Sequence, residues 1–166
     1  MLFRSLLEKI IKKIPEIKKS RIVLQAAGTF LSQSLETTMV VSIGGGTTEI
    51  LLYHKKERIF TDSMPVAFDF VSSKLDDELG YLDMQSLEKH SAELKDRSHL
   101  LAAKLANSII QIQNKKKGNF PIIFSGGGIL FAPLAKSLKE KLSKYEIIIP
   151  QEPEFQNAID MFENAC

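Results

Sequence analysis

Residues 40–50 read VVSIGGGTTEI, and the fold turns on what the three glycines in that stretch are for. An apolar, β-branched run ends at Gly44, and a second run, TEILLYH, begins right after Thr47. Two short strands joined through glycines read as a hairpin. The glycines then have two readings. One is a tight turn with no ligand. The other is a phosphate cradle, because glycines leave their amides bare and let an anion approach the backbone closely. On the second reading the hydroxyls of Thr47 and Thr48 add donors. The stretch is not a P-loop, because no lysine follows and no helix opens at once. It also lacks the dinucleotide-binding fingerprint.

A second triple glycine, Gly126, Gly127 and Gly128 in IIFSGGGILF, ends another apolar run and opens a helix. A helix start with bare amides suits an anion or a sugar phosphate. A strand–glycine–helix junction also arises for packing alone. Outward from these bends, MVVSIG, TEILLYH and RIFTDSM read as three strands of an antiparallel meander, with HKKE as a charged turn. Residues 65–80 predict a helix with Val66, Phe70, Val71, Leu75 and Leu79 on one face and Gly80 as its C-cap. Residues 81–118 form a helical insert, with one long helix from about Ser98. FPIIFS is a strand, ILFAPLAKSLKEKL a helix with Pro133 near its first turn, YEIIIP a strand, and PEFQNAIDMFENA a terminal helix. Before the meander, residues 1–20 read as an amphipathic helix with Leu2, Leu6, Ile10 and Ile14 in register. RIVLQAAG begins as a short strand and runs into a helix of small residues.

The order predicts an α/β fold: a mixed sheet with a three-stranded antiparallel meander, then strand–helix units, with helices on both faces.

The chain has 166 residues, 44% hydrophobic and 25% charged, which suits one globular domain. Net charge is +2, and no basic patch is interleaved with aromatics, so nucleic acid is not an expected partner. The single cysteine, Cys166, cannot form an internal disulfide, and with three histidines it offers no metal cluster. A reducing, cytoplasmic setting fits. No apolar run approaches the length of a membrane span, and charges interrupt the first helix too often for a signal peptide. That helix is expected to pack on a core rather than on a membrane surface.

At this point the motifs resemble those of the actin-like ATPase superfamily. VVSIGGGTTEI resembles its second phosphate-binding hairpin, and IIFSGGGILFAPLAKSLKEKL resembles its adenosine-binding segment. PVAFDFVSSKL sits where the family carries the helix after the hairpin. SAELKDR resembles its short Ala-Glu-x-x-Lys element, and PQEPEFQNAIDMF the closing strand-to-helix segment of plasmid-segregation members. The resemblance runs in family order over residues 22–163. It implies a ribonuclease H-like, actin-type fold shared with bacterial and archaeal cell-shape, cell-division, pilus and plasmid-segregation proteins. It further implies that Gly44, Gly45, Gly46 and Thr47 meet the β- and γ-phosphates of ATP or ADP. Gly126, Gly127 and Gly128 would pack against the adenosine and α-phosphate. Lys95 matches the lysine of the short element; Glu93 stands one position off its glutamate. Solvated helix charges are the other reading of both. Gln25 is the nearest residue to the family's water-orienting side chain, and a surface or capping glutamine is its other reading.

Two departures bear on activity. The family carries Asp where this sequence has Ser42, and that carboxylate holds a magnesium-bound water. Sites for phosphoryl transfer work by placing charge and metal, so its loss weakens Mg²⁺-ATP binding and hydrolysis. The family also clamps nucleotide between two related domains, and no acidic-plus-glycine motif of the first domain precedes residue 40. The sequence therefore reads as a single nucleotide-binding half-domain over 1–166. It is expected to be weak or inactive alone and to act through self-association or another actin-like chain. The alternative is an ATP-dependent polymerising protein whose pocket another chain completes. A sugar or acyl kinase lacks its acidic constellation here, and an iron–sulfur activator lacks its cysteines.

Overall fold

The structure is a computed structural model, and it describes residues 35–73, 87, 89–156 and 158. Strand β1 spans Thr38–Ile43 and is buried at every position. Burial on both faces is what a continuous apolar run predicts for a central strand. Strand β2 spans Thr48–His54 and β3 spans Glu57–Met64. Between them Lys55 and Lys56 adopt φ of 51° and 65°. Two left-handed residues make the turn whose twist matches that of the flanking strands. The ladder steps from Leu52–Phe60 to Tyr53–Arg58, so Ile59 is an extra residue on β3. Such a bulge, with β3 exposed along most of its length, suits a strand at the sheet edge.

Helix α1 spans Ser91–Lys115, strand β4 Ile122–Ser125, helix α2 Ala132–Lys141, and strand β5 Ile147–Ile148. The sheet order is β3-β2-β1-β4-β5. The meander β1–β2–β3 is antiparallel, while β4 runs parallel to β1 and β5 runs parallel to β4. The expected mixed sheet is therefore present.

Side chains alternate across the sheet. Met39, Val41 and Ile43 of β1, Ile50 and Leu52 of β2, and Ile122 and Phe124 of β4 face one core. Leu94, Leu101, Leu105 and Ile109 of α1 and Leu134 and Leu138 of α2 complete it. Val40, Leu51, Tyr53 and Ile123 form a second buried cluster on the opposite face, with Leu35 and Ile148 packed against it. The helix expected over residues 1–20 and the strand and helix after it lie outside the described residues. So does most of the terminal helix.

α1 starts at Ser91, about two turns before the expected Ser98. Here Ser98 is fully buried mid-helix, and its hydroxyl donates to the Leu94 carbonyl at 2.8 Å. At the far end, Gln113 is fully buried. Its amide donates to the Phe120 carbonyl at 2.9 Å and accepts from the Phe120 N–H at 3.0 Å. That pair of bonds fixes how the chain enters β4.

Candidate functional site

Because β1 and β4 are parallel neighbours, with Ser42 opposite Ser125, both glycine bends leave the same end of the sheet. The carboxyl ends of parallel strands are where open α/β sheets hold ligands. The Gly44 N–H donates to the Thr47 carbonyl at 3.0 Å and closes the first bend. The Phe68 N–H donates to the Gly44 carbonyl at 3.1 Å, and the Asp69 N–H to the Gly45 carbonyl at 2.9 Å. Among the described residues every peptide bond is trans, so each C=O points opposite the N–H of the same planar unit. The amides of Gly45 and Gly46 are therefore aimed away from residues 68–69. Gly45, Gly46 and Thr47 are exposed. Thr48 differs from the expectation of a free donor: it is fully buried, and its hydroxyl donates to the Val66 carbonyl at 2.8 Å. Of the two threonines, Thr47 alone presents its side chain to solvent.

The second bend divides its glycines between two tasks. Gly126 has φ +86°, and a Cβ there would lie 2.4 Å from the Ile43 carbonyl oxygen. A Cβ on Gly128 would lie 2.6 Å from Ile43 Cγ2. Packing against the base of the first hairpin thus demands both. The Gly126 N–H is also spent, donating to the Pro153 carbonyl at 2.8 Å. Gly127 is exposed, and a Cβ there would meet nothing within 4 Å.

Beyond this bend a cleft of about 790 Å³ opens between the first turns of α1 and the length of α2. Phe131, Ala132 and Pro133 give it an apolar wall. Lys95 and His99 face it from α1, Lys136 and Glu140 from α2. Such a mix of apolar surface and a few polar groups suits a small organic anion. Lys95 therefore lines the cleft. Glu93 does not: it is exposed and lies 3.3 Å from His90 Nδ1. The hairpin glycines are not among the lining residues either. They connect to the cleft through Phe68, whose N–H holds Gly44 and whose ring meets Phe131 edge-on at 5.4 Å. Gln25 lies outside the described residues.

Ser42 is buried, 6% exposed, with Glu49 opposite it in the β1–β2 ladder. Among the described residues no group of three or more His, Cys, Asp or Glu side chains could hold a metal ion. Asp69 places its carboxylate against Gly45 and Gly46. Phe68, Asp69, His99 and Lys136 were not singled out by the sequence. Asp69 lies in the quoted post-hairpin segment, but nothing local marks it as reaching back to the hairpin.

Solved structures share this architecture. MreB5 of Spiroplasma citri bound to ADP matches with a TM-score of 0.71 at 15% identity, over 99% of this chain and 65% of that one. The ethanolamine utilization protein EutJ from Carboxydothermus hydrogenoformans matches at 0.67 and 18%, over 84% and 55%. Ta0583, an archaeal actin homolog, matches at 0.64 and 16%, over 86% and 54%.

The fold is the actin-like one.

The chain spans between 54% and 65% of the length of these actin-like structures, so it corresponds to part of their fold. No family model and no curated protein matches the sequence. Among the described residues no helix is long and apolar enough to cross a membrane.

Proposed function

We propose that the chain is the nucleotide-binding half of an actin-like clamp, taking the phosphates of ATP or ADP on its first glycine bend and the adenosine in the cleft beyond the second. The observation that carries this reading is the placement of the two bends side by side, with the 790 Å³ cleft opening past the second. Gly45, Gly46 and Thr47 would receive the terminal phosphates. Gly127 would lie against the α-phosphate, and Phe131 with Lys95 and Lys136 would hold the nucleoside end. MreB5 carries ADP in a structure of the same fold, which supports the ligand class.

Magnesium fits in a limited way. It keeps several waters and binds through nucleotide phosphates plus one or two carboxylates. Asp69 supplies one such carboxylate beside the hairpin, while Ser42 supplies none. Bound there, the ion would neutralise phosphate charge. The chain's own groups orient the phosphates through backbone amides and the Thr47 hydroxyl. With one wall of the clamp supplied by this chain, solvent weakens each electrostatic contact. The domain is therefore weak alone in binding and hydrolysis, and it works through a second copy or another actin-like chain in the cytoplasm.

Calorimetry of the chain with ATP and Mg²⁺ tests this. Binding in the range of tens to hundreds of micromolar is expected. Ser42→Asp should tighten magnesium-dependent binding by about tenfold, the scale of one well-placed charge contact. Absence of heat at millimolar nucleotide for both proteins ends the nucleotide reading.

A further inference from the structure

The carboxylate of Asp69 is the feature of the first bend that a bare phosphate cradle does not explain. A Cβ built on Gly45 would lie 2.9 Å from Asp69 Oδ1 and 3.4 Å from Oδ2, and one on Gly46 would lie 3.5 Å from Oδ2. The carboxylate therefore lies along the exposed glycines, whose amides have no hydrogen-bond partner among the described residues. Its backbone is anchored beside the bend, because the Asp69 N–H donates to the Gly45 carbonyl at 2.9 Å. Among the described residues no hydrogen bond or ion pair engages that carboxylate; the hydrogen bond is made by its backbone. Asp69 is also exposed.

A phosphate docked on the Gly45 and Gly46 amides would sit well inside the screening length of physiological salt, about 8 Å, from this negative charge. Like charges at that range repel. The repulsion turns to attraction only when a cation accompanies the phosphate. Asp69 would help to hold such a cation, as carboxylates hold magnesium beside nucleotide phosphates, and the ion would neutralise the phosphate charge. We infer that Asp69 makes the hairpin selective for a cation-neutralised polyphosphate and excludes the bare anion. It would be a specificity residue that stands in for the charge Ser42 lacks, reached from the segment after β3 instead of from β1. The inference rests on the nucleotide reading given above.

The test is calorimetric titration of the full chain with ADP, with excess Mg²⁺ and again with EDTA, for the native protein, Asp69→Asn and Asp69→Ser. Both substitutions keep the backbone N–H that holds Gly45, and circular dichroism checks that each variant is folded. For the native protein, EDTA should weaken binding up to about tenfold, the scale of one like charge close by in a solvated site. In the variants metal-free binding should strengthen about tenfold, and the ratio between the two buffers should fall below about threefold, for the same reason. If both folded variants keep the native dependence on Mg²⁺, Asp69 has no such role, and the nucleotide reading still stands. If no protein binds ADP in either buffer at millimolar concentration, the nucleotide reading itself falls and takes this inference with it.

Discussion

At Gly126 a methyl group would meet the Ile43 carbonyl oxygen at 2.4 Å on a backbone already at φ +86°. Neither backbone can yield without breaking β1 or β4. Gly126→Ala is expected to destabilise the protein by about 3 kcal/mol, the upper range for strain at a left-handed residue. Thermal unfolding measures it. Gly127→Ala is the control with the opposite signature. A Cβ there has open space, and the loss of chain freedom in the unfolded state makes the substitution neutral or stabilising by about 0.5 kcal/mol. Nucleotide affinity should nevertheless fall, because the methyl projects where the backbone would meet the ligand. Unchanged ADP binding in a Gly127→Ala protein would place the ligand elsewhere. At this scale the sequence showed three identical letters, and only the neighbouring strand distinguishes their roles.

Among the elements, α1 shows how far local pattern reaches. Its helical character was legible, but it begins at Ser91 and not near Ser98, which is a core residue bonded to the preceding turn. The partner that buries it, the sheet, is distant in sequence. Gln113 is a similar case. A glutamine among helix-forming residues reads as surface, yet here it satisfies both backbone groups of Phe120. Gln113→Ala leaves a partly buried N–H and C=O without partners and opens a small void. A loss of about 2–3 kcal/mol is expected, and urea denaturation would show it. Gln113→Glu should fare little better, since a carboxylate accepts from the Phe120 N–H but cannot donate to its carbonyl. A Gln113→Ala protein with native stability would mean that the entry to β4 is fixed by other contacts.

For the whole molecule the question is what completes the clamp. The chain matches between 54% and 65% of the length of its actin-like neighbours, and the half-site is open to solvent on the proposed reading. A second chain that closes the cleft would raise every electrostatic contact in it by excluding water. Nucleotide and association are then linked, each strengthening the other by the same factor. Sedimentation velocity of the 18.6 kDa chain should show a shift toward dimer or larger species when ATP and Mg²⁺ are added. An unchanged monomer at tens of micromolar protein, with nucleotide demonstrably bound, would rule out nucleotide-driven self-association.

The sequence by itself determined the strand runs, the meander, the position of both glycine bends and the actin-like resemblance. These rest on period and on glycine, which act over a few residues. Tertiary structure decided which amides the bends use, which glycines serve packing, that Thr48 is committed to Val66 and Glu93 to His90, and that Asp69 returns to the hairpin. The physical reason is that a hydrogen bond or a steric contact belongs to a pair, and each of the decisive partners arrives from another element. Ile43 against Gly126 is the plainest instance: two residues far apart in the chain become neighbours because β1 and β4 run parallel.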